Sequence, residues 1–363
     1  MLAARRVAND LPTSVDRRTW RFALALAIVA ASWTALRFAM TRQFGPASWQ
    51  ALVELRAPLP FGHRVLVPAL VRPFVEAGVP VGTAFAVSEW LATIVLVLAL
   101  YAVLARFVPA RAALLGAFGF LGVLAFPLLL AHRWPIYYPW DAWALVATAL
   151  GVHAIVCRRF ALATAIVAIG AFNRETVVVL PVVAVLVHLD DSANRARVLA
   201  WAGLMVVVFV AARGLVGVLV PVTRGAPLDT WVEGELRVLH NLRWLAVPER
   251  MLQWLGSVAF APVWWIAVRP RIPREFVRFE WIALAGVAAL FVVANVYEPR
   301  VYGELLVLAW MSAWIGIWRW IDGSAPEPEA GRWSARLDRF GWIAVALVSV
   351  LALCVFVRVS SSS

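Results

Sequence analysis

The chain reads as an all-α, polytopic transmembrane helical bundle, and three observations predict it. Apolar runs near the ~20 residues that cross a bilayer as a helix recur along the whole of its 363 residues. Hydrophobic residues make up 63% and charged residues 15%, with a mean hydropathy of +0.83, which excludes a soluble enzyme with an ordinary core. All 33 basic residues are arginine, and they sit between the apolar runs, as positive-inside anchoring requires. The same scatter argues against a nucleic-acid partner despite a net charge of +12, because no single basic face emerges. The 20 tryptophans are expected in belts at the two interfaces.

Residues 1–19 are polar and Arg-containing and are expected to be cytoplasmic. A signal peptide shares this shape. With so many spans downstream, Trp20–Met40 is read as an uncleaved first helix. Further spans are placed near 83–105, 112–131, 140–157, 199–221, 251–268, 279–296, 301–319 and 341–357. Residues 20–357 then form one transmembrane domain with long outer loops at 41–82 and 222–250, and 358–363 is an extracytoplasmic tail. Cys157 and Cys354 fall near opposite faces, so no disulfide is expected.

The segment 160–188 is apolar throughout except for Asn173-Arg174-Glu175-Thr176. As one helix it would be roughly 43 Å long, against a hydrocarbon layer of about 30 Å. Charges at membrane depth are costly and mark a functional site by default. The arginine distribution arbitrates. If 160–188 is a hairpin of two short helices that enters and leaves on the cytoplasmic side, nineteen arginines lie inside and twelve outside or at the tip, with Arg37 and Arg213 within spans. A single crossing gives an even split and leaves Arg174 in the membrane as well. The positive-inside rule favours the hairpin, which yields about 11 membrane segments and a cytoplasmic N-terminus. Arms of ~13 residues reach only about 20 Å, so the tip must sit below the outer surface in a polar cavity. Short or interrupted segments often point at a binding site. The plainer alternative is an Arg–Glu clamp that pins helices together.

Other polar clusters converge on the same side. In the first outer loop, Trp49, Leu52, Val53 and Arg56 have helical spacing and suit an interfacial helix. His63, Arg64, Arg72 and Glu76 follow, with the last three broadly on one side of a proline-kinked helix. Their guanidinium groups are suited to phosphate at headgroup depth, or simply snorkel to lipid headgroups. Arg133 and Asp141 flank the third and fourth spans, and Asp141 opens a helix, where a carboxylate also serves as an N-terminal cap. Glu298, Arg300 and Glu304 lie between the spans at 279–296 and 301–319, with Arg300 and Glu304 spaced to pair on one helix face. The loop at 222–250 looks like a surface helix without a sharp motif. Arg213 lies within a span and needs a partner that the sequence does not name.

A set rich in arginine with a few carboxylates suits a polyprenyl-phosphate ligand. Arginines neutralise the phosphate, and one carboxylate acts as a base or orients an acceptor hydroxyl. No GxGxxG, P-loop, HExxH or GxSxG context occurs, so soluble nucleotide or protease chemistry has no support. No His/Cys cluster and no DxD pair appears, so neither a metal nor another cofactor is indicated.

Over roughly residues 20–190 the chain resembles the GT-C superfamily of polytopic glycosyltransferases, which use polyprenyl-phosphate sugars. The resemblance rests on a single span followed by a long outer loop, on Tyr138-Pro139-Trp140-Asp141 leading into a span, and on Gly170-Ala171-Phe172-Asn173-Arg174-Glu175-Thr176 followed by Leu180-Pro181. It implies a transferase in the bacterial inner membrane that moves a sugar from a polyprenyl-phosphate donor to a glycan or lipid acceptor at the extracytoplasmic face, with inversion in a single displacement. Members of the family usually place the catalytic Asp in the first outer loop. Here 41–82 contains no Asp, and its carboxylates are Glu54 and Glu76. Glu54, Asp141 and Glu175 are therefore the candidate bases. His63, Arg64, Arg72, Arg133, Arg174, Glu298, Arg300 and Glu304 are the candidate substrate and phosphate contacts. The alternatives are a transporter or flippase of a lipid-linked or anionic substrate, and a non-catalytic membrane subunit with the same fold.

Overall fold

The computed structural model describes residues 17–130, 135–220, 231–232 and 235–324. The span expected at 341–357 and Cys354 lie outside the described residues.

Among the described residues six helical segments are long and apolar enough to cross a membrane, and the chain is an integral membrane protein. The first is α1 (Arg17–Met40). Two short helices of the outer loop follow, α2 (Trp49–Val53) and α3 (Leu66–Glu76). Next come α4 (Val81–Leu104) and α5 (Ala110–Ala125), the latter ending in a π-turn over Phe126–Leu130. Then α6 (Trp140–Val156) leads into α7 (Phe160–Ala171) and α8 (Val179–Val187), and α9 (Arg195–Leu219) crosses again. A two-residue antiparallel pair, β1 (Trp231–Val232) with β2 (Glu235–Leu236), interrupts the otherwise helical chain. The rest is α10 (Arg237–Leu245), α11 (Pro248–Ser257), α12 (Ala261–Val268), α13 (Arg274–Val277), α14 (Phe279–Val293) and α15 (Gly303–Ile321).

The span expected at 251–268 is broken. Pro248–Ser257 and Ala261–Arg271 meet at 70°, where Ala259 and Phe260 adopt positive φ. Left-handed backbone at two successive non-glycine residues ends the ladder of helical hydrogen bonds, and Gly256-Ser257 before the break and Pro262 in the first turn of α12 mark it where hydropathy does not.

The disputed segment folds as two short arms. The ring of His188, just after α8, lies 5.5 Å from Phe160 at the start of α7, so the second arm returns to where the first began. His188 Nε2 also lies 3.0 Å from the Ile155 carbonyl near the end of α6. At the other end, Asn173 Nδ2 donates to the Trp140 carbonyl at the start of α6, 2.9 Å away. The hairpin therefore runs the length of α6 and turns level with Asp141. Two glycines make this possible. A Cβ at Gly170 would stand 2.8 Å from Val177, and one at Gly151 would stand 2.4 Å from Leu180. Helix α9 packs along both arms.

Several tryptophans staple helices together rather than forming a belt. Trp310 and Trp314 of α15 donate to the Gly116 and Ala112 carbonyls of α5 at 2.7 and 2.8 Å. Trp90 of α4 donates to the Ala27 carbonyl of α1 at 3.0 Å. A buried indole N–H needs a partner, and a helical carbonyl has a second lone pair to offer.

Candidate functional site

The polar residues separate into two groups, and the hairpin tip feeds both. Arg174 has extended backbone, with φ −160° and ψ 146°. In extended chain successive side chains point to opposite sides. Arg174 accordingly turns inward and Glu175 outward, although they are neighbours in sequence.

The inner group is a ladder of alternating charge across five elements. Glu89 of α4 pairs with Arg37 of α1. Arg37 also reaches Asp141 of α6, Nη2 to Oδ2, at 3.3 Å. Arg174 Nη1 lies 3.5 Å from Asp141 Oδ1 and 3.3 Å from Glu304 Oε1 of α15. Thr176 donates its hydroxyl to the same Glu304 oxygen. All five charged side chains are at most 5% exposed. Asp141 and Glu304 both lie in the first turn of their helices, where the helix dipole favours a carboxylate.

The outer group is partly exposed, its arginines less than its two glutamates. Arg64 approaches Glu175, Nε to Oε2, at 3.5 Å, and Arg213 of α9 donates to Glu175 Oε1 at 3.0 Å. Arg213 Nη1 also donates to the His63 and Ala171 carbonyls, each at 3.0 Å, which ties the outer loop to the hairpin. The backbone repeats this tie where Leu66 N–H donates to the Phe172 carbonyl at 3.0 Å. Three stacked rings floor the group. Phe61 lies over Tyr138 at 5.5 Å, and Tyr138 lies 4.9 Å from Trp140. The Arg300 guanidinium rests 3.8 Å from the Tyr138 ring centroid and that of Arg64 5.1 Å from the Trp140 centroid. Arg300 also donates to Glu298 at 2.9 Å, and Asn295 holds the other Glu298 oxygen at 2.9 Å.

Burial pushes the Arg64 guanidinium down from its ordinary value. Glu175 opposes that, while Arg174 and Arg300 add to it by repulsion. Burial likewise pushes the Tyr138 phenol up to about 12, keeping it neutral. Three arginines face two carboxylates in this group, so an anion would relieve the crowding.

Among the described residues an apolar groove of about 810 Å³ lies between α11, α12, α14 and α15; none of the five charged residues of the outer group lines it. Its walls include Trp254, Trp265, Trp281, Leu284, Phe291 and Tyr302. One end is marked by the Arg269–Glu280 ion pair and the other by Tyr302, two residues past Arg300. From Glu280 to Phe291 it follows α14 for about 17 Å. A buried asparagine builds that upper end. Asn241 of α10 donates to the Phe291 and Ala294 carbonyls at 2.9 and 2.8 Å and accepts from Val296 N–H at 3.0 Å.

The expected site residues are thus distributed unevenly. Arg64, Glu175, Glu298 and Arg300 come together in the outer group, with His63 contributing its carbonyl. Asp141, Arg174 and Glu304 lie in the inner ladder. The expected Arg300–Glu304 helix pair does not form, because α15 begins only at Gly303 and the two side chains join different groups. Arg72 pairs with Glu76 at 2.6 Å on the exposed face of α3, which starts after Arg64, so those two arginines do not share a helix. Glu54 sits at the surface with Gln50 and Arg56. Arg133 lies outside the described residues. Arg37 and Glu89 supply two of the five charges of the inner ladder and were not among the expected site residues, Arg37 having been placed only as an arginine within a span; each is a charge inside an apolar run, which was the available signal. Among the described residues no group of three or more His, Cys, Asp or Glu is placed to hold a metal. No family model matches this chain, and no curated protein matches it either.

Proposed function

We propose that the protein is a membrane glycosyltransferase that takes a sugar from a polyprenyl-phosphate donor at the extracytoplasmic face. The observation that carries the reading is an arginine-excess group, Arg64, Arg213 and Arg300 against Glu175 and Glu298, together with an apolar groove whose wall includes Tyr302, two residues past Arg300. The groove suits a polyisoprenoid tail and the arginines suit its phosphate. In this reading the N-terminus is cytoplasmic, the membrane is a bacterial inner membrane, and the acceptor is a glycan or a lipid.

Glu175 is the carboxylate best placed to act. Its side chain is 40% exposed, whereas Asp141 is held between two buried arginines and Glu54 lies with its own surface partners. A phosphate arriving at Arg64 and Arg213 competes with Glu175 for them and frees it. The acceptor oxygen then bonds to the anomeric carbon as the bond from that carbon to the phosphate oxygen breaks. Glu175 takes the acceptor proton, and the arginines stabilise the departing phosphate. A single displacement of this kind inverts the anomeric centre.

The test is turnover by purified protein against a panel of polyprenyl-phosphate sugars. Release of polyprenyl phosphate with formation of a glycoside, lost in Glu175→Gln and Arg64→Ala, is the expected result. No turnover with any donor, together with movement of an unmodified polyprenyl-phosphate lipid across vesicles, would replace the transferase with a transporter.

A further inference from the structure

We infer that the inner ladder is a proton-binding site and that Glu89 carries the proton at neutral pH. The argument is independent of the transferase reading and rests on charge stoichiometry and position. The ladder holds three carboxylates, Glu89, Asp141 and Glu304, and two guanidiniums, Arg37 and Arg174, all almost fully buried. With every group ionised the cluster carries one net negative charge in the interior of a membrane protein. An uncompensated buried charge of that kind is neutralised by protonation rather than tolerated.

Position identifies the carboxylate. Asp141 has a guanidinium on each side, at 3.3 and 3.5 Å, and lies in the first turn of α6. Glu304 has Arg174 at 3.3 Å and the Thr176 hydroxyl, and lies in the first turn of α15. Both anions have fixed positive poles beyond their share of arginine. Glu89 lies in the body of α4, away from either helix end. Its one guanidinium partner, Arg37, is shared with Asp141. Each of the three carboxylates keeps one buried oxygen without a hydrogen bond among the described residues, Glu89 Oε2, Asp141 Oδ1 and Glu304 Oε2, so the choice of Glu89 rests on its place in mid-helix and its shared arginine. Facing Glu89 are Arg37 from α1, Asp141 beyond that arginine on α6, and Tyr137 from the connection into α6. The Tyr137 ring stands 4.9 Å from the Arg37 guanidinium, and its hydroxyl lies 3.4 Å from the Phe85 carbonyl, one turn before Glu89, and also hydrogen-bonds the Glu89 side chain. Tyr137 is neutral and does not balance the charge. A proton on Glu89 Oε2 does, and leaves Oε1 free to accept from Arg37.

Infrared spectroscopy of the full chain in detergent at neutral pH tests this. A buried carboxylic acid shows a carbonyl stretch separate from carboxylate and amide bands. The band is expected in the unsubstituted protein and absent in Glu89→Gln. Glu304→Gln and Asp141→Asn each leave two carboxylates against two guanidiniums, so Glu89 ionises and the band is lost there too. Glu89→Asp, in contrast, keeps a band that does not respond to ¹³C labelling of glutamate, and a response there would put the proton on Glu304 and overturn the proposal. Protein labelled with ¹³C at the glutamate carboxyl provides a readout that needs no variant, and there the band is expected to shift. Absence of the band in the unsubstituted protein, its survival in Glu89→Gln, or failure to shift on labelling would overturn the proposal.

Discussion

Arg174 and Glu175 are adjacent in the chain, yet they belong to regions with opposite physical character. The ladder around Arg174 is closed: its charged side chains are at most 5% exposed and every guanidinium faces carboxylates on both sides. The group around Glu175 is open: Arg213 is 18% exposed, Arg300 14% and Glu175 40%, and arginines outnumber carboxylates. The difference teaches that residue type does not separate architecture from function here. Stoichiometry and access do. A buried, nearly balanced ladder holds α1, α4, α6, the hairpin tip and α15 in one arrangement. A partly exposed group with surplus positive charge is left to meet an anion.

The comparison is most easily broken at Arg174. Arg174→Ala strands Asp141 and Glu304 in the interior and is expected to cost about 3–5 kcal/mol, seen as loss of folded protein in detergent melts. Asp141→Asn keeps the shape but leaves Arg37 and Arg174 without their shared anion, and a smaller loss of about 1–3 kcal/mol is expected in the same assay. Arg64→Ala should reverse the pattern. Its effect on stability is expected to stay near 1 kcal/mol, while affinity for a polyprenyl phosphate falls at least tenfold, or about 1.4 kcal/mol, by direct binding. A melt as damaged by Arg64→Ala as by Arg174→Ala would erase the distinction between the two regions. Salt sharpens it: raising ionic strength should weaken lipid-phosphate binding while leaving the melting midpoint of the ladder almost unmoved, because buried pairs are poorly screened. Smallest of all is Arg72→Ala, whose exposed pair with Glu76 should be worth no more than about 0.5 kcal/mol.

Much of this frame was legible beforehand. The mismatch between the length of 160–188 and the bilayer, together with the arginine distribution, pointed to two short arms, and the rings of Phe160 and His188 meet as that requires. The need of Arg213 for a partner was also legible, though the partner was not. Other features left little trace in the pattern. The 70° break after Ser257 does not show in hydropathy, and only Gly256-Ser257 and Pro262 beside it hint at where the helix ends. Trp310 and Trp314, which composition assigns to an interface, lie against α5 because small residues there let them reach its carbonyls.

The sequence by itself determined that the chain is a helical membrane protein, that its 160–188 segment cannot be one straight span, and that charges within its apolar runs must find partners. Those conclusions follow from local quantities: residue length per turn, bilayer thickness and the cost of a bare charge in hydrocarbon. Only the tertiary structure decided which partner each charge takes. Glu89, Arg37, Asp141, Arg174 and Glu304 are spread over more than two hundred positions and become one ladder only when five elements pack. The physical reason is that pairing energy depends on separation in space and on exclusion of water, and neither is a property of spacing along the chain.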